Sequence, residues 1–341
     1  MATPDLILGS PWRQDEKVAP VSQEADRETE EYAWRMDAGV LAVAKAELRE
    51  DADSRSHALQ HLRQWISQNP DLRDCRTDSN FLLRFLRVKK FSLPMAQQML
   101  LKYLNFRKTF GHLVRQLDVS APSVNQLMRS GYIVASPLRD QHGRRVVIVT
   151  ARLLDPYRHS RADMARAHMA TYEACLDDEQ TQVAGFTHVG DVAGAGAAHV
   201  TLWSPAEFAT VLKWGEQSIP MRHKEIHILN IPTALRYVYD FAHNRFSDKM
   251  QKRFMIHNSL EDLHKKVDPK VLPKEYGGDM PLAQMAELWV KELESKRDRL
   301  LSLDYMQLLS DRGILCRKNQ RYHYGSDMAG LAGSFRKLEV D

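Results

Sequence analysis

Histidine, glycine and basic residues in the second half of the chain have spacings that could serve chemistry. His223 and His227 are four residues apart, the spacing at which two helical histidines hold zinc in metalloproteases. Those enzymes place glutamate directly after the first histidine, whereas Glu225 stands two residues after it here and the segment has the pattern of a strand. We therefore predict one exposed and one packed histidine rather than a metal site.

A glycine-rich stretch follows a predicted strand at residues 186–192. Gly190, Gly194 and Gly196 resemble part of a dinucleotide-binding loop, but the third glycine of that fingerprint would fall at His199. The chain has neither a G-x-x-x-x-G-K-[ST] phosphate loop nor a G-x-S-x-G nucleophile elbow. We therefore predict a tight turn here, no enzymatic activity and no cofactor.

The charge of the chain favours an anionic partner. The 341 residues carry a formal net charge of +4, but residues 1–54 hold 13 acidic against 6 basic residues, so the rest of the chain carries +11. Part of this positive excess is concentrated at residues 222–253, which contain seven Lys or Arg residues and three acidic residues. This surplus suits nucleic acid, an anionic bilayer or phosphorylated headgroups, without choosing among them.

Composition and length indicate one or two globular domains. Hydrophobic residues make up 43% of the chain and charged residues 27%, enough for an apolar core. No apolar run approaches the roughly 18 residues of a membrane span, and the first residues lack the basic region of a signal peptide. Cys75, Cys175 and Cys316 form no C-x-x-C pair, which favours reduced thiols. We expect a soluble, cytosolic protein.

Hydrophobic periodicity divides the chain into five segments. We predict an acidic, partly helical tail at 1–50, a helical unit at 51–115, an α/β domain at 125–280, a C-terminal helix at 281–316 and a flexible basic tail at 317–341. Helical stripes in the second segment include the apolar residues between 59 and 66, and Pro94 stands in the first turn of a later helix, as helix starts prefer.

Within the α/β domain, predicted strands alternate with predicted helices. The β-branched run at 145–151 indicates a strand buried on both faces, which starts a parallel sheet. The further strands are predicted at 186–192 and 225–230, and the helices at 163–182, 205–217, 233–245 and 248–256. The sheet is predicted to end near Leu272, and residues 282–310 to be helical. This order is typical of an α/β layered domain with right-handed crossovers.

Four motifs in order resemble the CRAL-TRIO, or Sec14-like, lipid-transfer family. They are Phe81–Phe91 (FLLRFLRVKKF), Asp140–Arg145 (DQHGRR), Ile226–Pro232 (IHILNIP) and Leu272–Gly278 (LPKEYGG). Their order and spacing match the family over about residues 50–295. Within the family, the chain is most similar to the branch of α-tocopherol transfer protein, retinaldehyde-binding protein and clavesin.

The resemblance implies a fold and a function. The fold would be an α/β CRAL-TRIO lipid-binding domain with a mainly parallel sheet and a mobile helical lid, preceded by a small all-helical domain. The function would be to hold one hydrophobic lipid, tocopherol-, retinoid- or carotenoid-like, in an apolar cavity and to transfer it between membranes without enzymatic chemistry. Residues 233–245, with a broad apolar face, correspond to the lid.

The resemblance also implies a phosphoinositide site. In this branch, four basic residues grip the phosphates of a phosphatidylinositol bisphosphate headgroup, and they correspond here to Arg222, Lys224, Lys249 and Arg253. By spacing alone, Arg245, Lys249 and Arg253 would lie along one side of a helix, which is equally typical of a solvated helix face. Headgroups are expected to draw this basic face onto the membrane and to promote lid opening and cargo release.

The lipid pocket is likewise implied by motif position. Its residues are His168, Tyr172, Phe186, His188, Val211, Trp214, Ile226, Val238, Tyr239 and Ala242. In an unrelated protein most of these would be ordinary core. The polar members, His168, Tyr172 and His188, would either hydrogen-bond a hydroxyl or carbonyl of the cargo or serve packing.

Two other functions stay open at the level of sequence. A nucleic-acid-binding protein would share the basic surplus, but the basic stretch lacks interleaved aromatic residues and no nucleic-acid motif is present. A phosphoinositide-binding trafficking adaptor is the stronger alternative, because clavesin-like relatives act at endosomal membranes and associate with clathrin-coat components. In either lipid-related role we expect reversible, peripheral association with endosomal or trans-Golgi membranes.

Overall fold

The computed structural model describes residues 36–315. The tails predicted at 317–341 and over most of 1–50 lie outside the described residues. None of the helices that the structure describes is both long and apolar enough to cross a bilayer.

Between residue 36 and the main sheet, the structure describes six α-helices. They are α1 (Ala38–Val43), α2 (Ala52–Gln68), α3 (Ser79–Val88), α4 (Leu93–Thr109), α5 (Gly111–Val114) and α6 (Pro122–Arg129). A π-helical turn, Ala44–Leu48, follows α1 directly. The local sequence determines where the first three helices begin. The side chains of Asp37, Asp51 and Asp78 accept hydrogen bonds from backbone amides in the first turns of α1, α2 and α3. The helical unit predicted from residue 51 is present.

Five strands form the central sheet. They are β2 (Ile133–Arg139), β3 (Arg145–Thr150), β4 (Phe186–Asp191), β5 (His223–Leu229) and β6 (Phe254–His257), adjacent in that order. β2 pairs antiparallel with β3, and every other pair is parallel. A separate two-stranded antiparallel ribbon joins β1 (Leu72–Arg73) to β7 (Gln307–Leu308).

Nine further α-helices surround the sheet or follow it in the described part of the chain, which ends at residue 315. They are α7 (Arg161–Leu176), α8 (Glu179–Ala184), α9 (Ala197–Thr201), α10 (Pro205–Ser218), α11 (Arg236–His243), α12 (Asp248–Gln251), α13 (Leu260–His264), α14 (Leu282–Ser295) and α15 (Arg297–Ser302). One large apolar core runs from α2 to β7 and includes fully buried residues of α3, α4, α7, β3 and α14.

Several predicted boundaries are wrong. The sheet begins with β2 rather than with the run at 145–151, and it ends with β6 rather than near Leu272. The helix predicted at 248–256 stops at Gln251, since residues 254–257 pair with β5 as a strand. The helix predicted at 163–182 breaks at Asp177, and the last predicted helix ends at Ser302.

The two faces of the central strands are buried to different degrees. On β4, Thr187 and Val189 are each 1% exposed, and on β5 the side chains of His227 and Leu229 are fully buried. Residues that alternate with these, such as His188 and Ile226, are only half-buried. Phe186 belongs to this second face as well and is fully buried, so the face is partly accessible at His188 and Ile226 rather than along its whole length. We call this face the inner face.

Candidate functional site

The inner face carries the strand members of the predicted pocket. Phe186 and His188 of β4 stack with ring centroids 5.8 Å apart, and Ile226 lies opposite His188 in register. The ring of Tyr172, from α7, contacts His188 edge-on at 6.0 Å. The structure therefore brings the α7, β4 and β5 members of the predicted set together.

Helices α10 and α11 carry the remaining predicted pocket residues. Val211 and Trp214 on α10 are half-buried and pack against the main core, and α10 contacts α11. On α11, Val238 and Tyr239 are half-buried, whereas Ala242 is buried.

Aromatic rings attach α11 to the outer strand of the sheet. Tyr239, His243 and Phe246 surround the ring of Phe254 at centroid distances of 6.4, 5.2 and 5.3 Å. Phe254 lies beside Ile226 in the parallel register, so the helix covers the inner face at its β6 side. His243, near the end of α11, belongs to this cluster. Sequence reasoning missed Phe254, because its segment was assigned to a helix.

The outer side of α11 is unusually aromatic for a solvated surface. Tyr237 is 73% exposed and stacks on the half-buried Phe241 at 6.5 Å. The guanidinium of Arg245 lies over the Phe241 ring, 4.6 Å from its centroid. This combination of aromatic and cationic groups suits a membrane interface as well as water.

Polar groups on the inner face form hydrogen-bonded sets. Nε2 of His168 lies 2.9 Å from the hydroxyl of Tyr132, and Nδ1 of His168 lies 3.1 Å from the hydroxyl of Tyr172. His188 Nε2 lies 3.0 Å from His223 Nδ1. Burial lowers the pKa of His168 to about 4, and burial together with neighbouring Arg253 does the same for His223. Both rings are therefore neutral at pH 7.

A second histidine pair lies on the opposite, buried face. Nδ1 of His227 is 2.8 Å from Nε2 of His257, and its Nε2 is 3.2 Å from Glu225. Burial is the largest cause of a His227 pKa of about 4. Neither His223 nor His227 is exposed, so the prediction of one exposed and one packed histidine is wrong in its exposed member. No cluster of three metal-binding side chains occurs within residues 36–315.

The amino-terminal ends of β5 and β6 bring basic residues together. Arg222 and Lys224 stand at the start of β5, and Arg253 directly precedes β6. Parallel strands begin at the same edge of a sheet, and the amide of Ile226 donates to the carbonyl of Arg253 at 2.9 Å. The three basic side chains therefore share one edge.

Lys249 reaches the same edge from α12. Burial, followed by the charges of Arg253, Lys90 and Arg222, lowers the pKa of Lys249. Burial and the charge of Arg222 likewise lower the pKa of Arg253. The charges of Arg222, Lys249 and Arg253 thus act on one another, with Lys90 near Lys249, and Lys224 stands two residues after Arg222. We call Arg222, Lys224, Lys249 and Arg253 the basic cluster.

The basic cluster is not one side of a helix, as the spacing had suggested. Helix α12 ends at Gln251, and Arg253 belongs to the turn before β6. Arg245 is turned towards Phe241. The cluster is assembled by the parallel register of β5 and β6, which spacing along the chain does not reveal.

One acidic side chain already contacts the basic cluster. A single oxygen of Glu47, in the π-helical turn, accepts from Lys224 Nζ at 2.6 Å and from the guanidinium of Arg222. Burial alone would raise the pKa of this carboxyl, but its hydrogen bond to Lys224 and the two positive charges lower it. Glu47 is thus ionised at pH 7. Its side chain is 45% exposed.

Comparisons with known proteins agree with this architecture. Residues 129–278 match the model of the CRAL/TRIO domain, and residues 51–124 match that of the Pinta-like, UBA domain. Clavesin-2 of Homo sapiens is 28% identical over 254 residues, which cover 74% of this chain and 77% of that protein. Clavesin-1 of Xenopus laevis is 28% identical over 254 residues, covering 74% of this chain and 76% of its own.

A solved structure, described as the crystal structure of Sfh5, aligns with 69% of this chain and 92% of its own chain, at 15% identity and a TM-score of 0.48. The four motifs, the mainly parallel sheet and the family model agree on one assignment. The chain carries a CRAL-TRIO domain at residues 129–278 and is similar to the clavesins over 254 residues.

Proposed function

We propose that the protein carries one hydrophobic lipid on the inner face of its sheet and exchanges it at phosphoinositide-containing membranes, without catalysing a reaction. The observation that carries this proposal is the gathering of basic residues at the amino-terminal ends of β5 and β6, beside an inner face on which His188 and Ile226 are only half-buried. A cargo site and a membrane-docking site would thus share strands β5 and β6.

The cargo is expected to be mainly apolar with a polar end. The inner face combines Phe186, Ile226 and the rings around Phe254 with a few polar groups near His168, a composition typical of small-molecule pockets. A tocopherol-, retinoid- or carotenoid-like molecule has this character. The free polar atoms are few, which favours such a molecule over a two-chain phospholipid.

Docking would come from charge. Basic residues near an anionic leaflet contribute on the order of 1 kcal/mol each, and guanidinium groups such as those of Arg222 and Arg253 can grip phosphate through two hydrogen bonds. Burial is the largest cause of the lowered pKa values of Lys249 and Arg253, and repulsion from neighbouring basic residues adds to it. A polyanionic headgroup would relieve that repulsion.

Docking would also loosen the lid, α11. In water, opening exposes Tyr239 and Phe254, whereas at a bilayer the apolar side of the helix can enter the interface. Headgroup binding drives opening only by the difference in its affinity for the open and closed states. The short distance along the chain from α11 to Lys249 and Arg253 provides a route for that coupling.

The test is cosedimentation with vesicles of phosphatidylcholine, of phosphatidylcholine plus phosphatidylserine, and of phosphatidylcholine plus phosphatidylinositol bisphosphate at equal surface charge. We expect Arg222→Gln/Lys224→Gln/Lys249→Gln/Arg253→Gln to lose about 100-fold or more in affinity for phosphoinositide vesicles. The matched control, Arg129→Gln/Arg158→Gln/Lys265→Gln/Lys291→Gln, removes the same charge from exposed surface ion pairs and should lose far less. Equal losses for both variants would contradict the docking site.

Native mass spectrometry of protein purified from its own tissue, followed by lipid extraction, tests the cargo. A single apolar lipid at one copy per chain is expected. Protein that carries no lipid, and takes up none from vesicles, would contradict the carrier role.

The clavesin relatives favour a second candidate, a trafficking adaptor that docks on phosphoinositides and recruits clathrin-coat components. Residues 1–35 and 317–341 are the segments to delete. Lipid transfer that survives the deletion, together with loss of recruitment to endosomal membranes, would assign the adaptor role to these tails.

A further inference from the structure

The hydrogen bonds around His168 fix which atoms donate and which accept. Tyr132 is 3% exposed, and within residues 36–315 its hydroxyl has no hydrogen-bond partner except His168 Nε2. A buried hydroxyl proton without an acceptor is strongly unfavourable, so Tyr132 donates and Nε2 accepts.

The tautomer of His168 follows. A neutral imidazole has a single N–H, which must then be on Nδ1. This N–H donates to the hydroxyl oxygen of Tyr172 at 3.1 Å. The hydroxyl proton of Tyr172 therefore points away from His168, and among the described residues it meets no acceptor.

We propose that Tyr172 donates a hydrogen bond to the polar end of the cargo, so that the cargo must carry an oxygen acceptor such as a carbonyl, ester, ether or hydroxyl. Tyr172 is half-buried beside His188 on the inner face, where a cargo would lie. Its position at the end of the chain Tyr132–His168–Tyr172 strengthens it as a donor, because each hydrogen bond polarises the next. This inference rests on the proposed function, since it needs a lipid in the pocket.

The experiment compares two polyenes with the same ring and the same double bonds, retinyl methyl ether, whose oxygen only accepts, and axerophthene, a hydrocarbon that ends in a methyl group and has no oxygen. Wild-type protein should bind the ether roughly 5- to 10-fold more tightly than the hydrocarbon. Tyr172→Phe should abolish that preference while binding the hydrocarbon as wild type does, which also shows that the variant is folded. Tyr157→Phe, at a tyrosine that is 89% exposed, should keep the preference.

A preference for the ether that persists in Tyr172→Phe would overturn the donor assignment alone. Failure of the wild-type protein to bind either polyene would instead contradict the pocket, and the donor with it.

A separate observation concerns the segment that holds Glu47. Val40, Ala44 and Leu48 of α1 and the π-helical turn form a small buried apolar cluster with Val183 of α8. Just beyond it, Glu50 pairs with the buried Arg87 at 2.9 Å. These contacts hold α1 and the π-helical turn against the rest of the domain. They place the carboxylate of Glu47 beside Arg222 and Lys224.

From these contacts we infer that Glu47 acts as a built-in competitor for phosphate at the basic cluster. A carboxylate oxygen held by two cations occupies the position that a phosphate oxygen would take, and both cannot occupy it together. Its partial exposure lets a headgroup of higher charge displace it, so the contact would restrict docking to membranes rich in polyanionic lipid. This inference also rests on the proposed function.

Removing the charge with Glu47→Gln tests the competition. The variant should bind vesicles containing phosphatidylinositol bisphosphate about 5-fold more tightly than wild type and should respond at a lower content of that lipid. Glu287→Gln, which breaks an exposed ion pair with Lys291, is the control for an equal change in net charge. Affinity equal to that of the control, or weaker, would overturn the competition, whereas wild-type protein with no preference for the phosphoinositide would contradict the docking site itself.

Discussion

Two groups of basic side chains in this molecule differ in their surroundings: one is buried among carboxylates, and the other is the partly exposed basic cluster. Arg84 is 1% exposed and contacts Glu173 at 2.7 Å and Asp177 at 3.1 Å, and Arg87 is fully buried against Glu50. Both arginines lie on α3. Arg84 contacts Glu173 of α7, and Arg87 contacts Glu50, two residues after the π-helical turn. The basic cluster, by contrast, has Glu47 as its ion-pair partner among the described residues.

The difference separates a structural role from a binding role. A buried guanidinium with two carboxylates has its charge satisfied by the fold, and removing it leaves a buried carboxylate without its cation. In the basic cluster, Glu47 pairs with Arg222 and Lys224, and the charge of Glu216 acts on Arg253, so the four cations retain a positive excess for an external anion. Position in a motif does not distinguish the two, since Arg84 lies in the first of the family motifs.

The largest effect should come from breaking the buried arrangement. Arg84→Ala removes the cation that pairs with buried Glu173, which keeps only the hydroxyl of Tyr103 as a partner within residues 36–315, whereas Asp177 keeps Arg299. The free energy of unfolding should fall by about 3–5 kcal/mol in urea titrations. Arg129→Ala, which breaks an exposed pair with Glu294, should cost less than about 1 kcal/mol. Similar losses for the two variants would erase the distinction between buried and exposed pairs.

Lowering the pH separates buried arginines from buried histidines, because arginines stay charged in the fold whereas the histidines must gain a proton. His168, His223 and His227 have pKa values of about 4 in the fold, against an ordinary value near 6.5. The unfolded chain therefore binds protons first, so the free energy of unfolding is constant above about pH 7 and falls between 6.5 and 4. The loss should reach at most about 4 kcal/mol per pH unit for the three together.

Urea titrations at pH 7, 6 and 5 measure this slope. His227→Gln should make it shallower by removing one of the three groups. Stability that is flat down to pH 5 would show that these rings are not held neutral by burial.

A substitution at Gly185 should displace the backbone that carries Arg222 of the basic cluster. Gly185 has φ +92°, and a Cβ there would lie 2.4 Å from the carbonyl oxygen of Arg222. Gly185→Ala should therefore cost about 1–3 kcal/mol in unfolding free energy and weaken vesicle binding by displacing Arg222. In the matched control Gly196→Ala the new methyl group meets nothing within 4 Å. If both variants behave as wild type, Arg222 does not depend on this close approach.

The smallest effect on stability is expected from the basic cluster itself. The fourfold glutamine variant should change the free energy of unfolding by less than about 1 kcal/mol, because it removes mutual repulsion along with the exposed contacts of Glu47. Thermal and urea unfolding measure this directly. A loss comparable with that of Arg84→Ala would mean that the cluster holds the fold together.

The sequence was informative where local pattern and fold agree. The β-branched run at 145–151 correctly predicted β3. The strands near 186 and 225 were predicted within two residues of their observed ends. Strand β2 was missed because Ser136 and Pro137 interrupt its apolar run, and Pro137 is tolerated in a strand at the edge of the sheet. Strand β6 has four residues, too few for periodicity to distinguish it from a helix.

The sites depended on contacts between distant parts of the chain. Motif position named the four residues of the basic cluster, and the parallel register explains why they meet. Glu47 is 175 residues from Arg222, and Glu173 is 89 residues from Arg84. No local pattern reports such pairs, so the sequence could not tell which basic residues have their charge satisfied.

The most direct test of the account is the rate at which the protein moves a fluorescent apolar lipid from phosphatidylcholine donor vesicles to acceptor vesicles with and without phosphatidylinositol bisphosphate. The account predicts that the phosphoinositide accelerates transfer by wild-type protein and that the fourfold glutamine variant, though folded and loaded with lipid, shows no acceleration. Equal acceleration in the variant would contradict the assignment of the basic cluster to membrane docking.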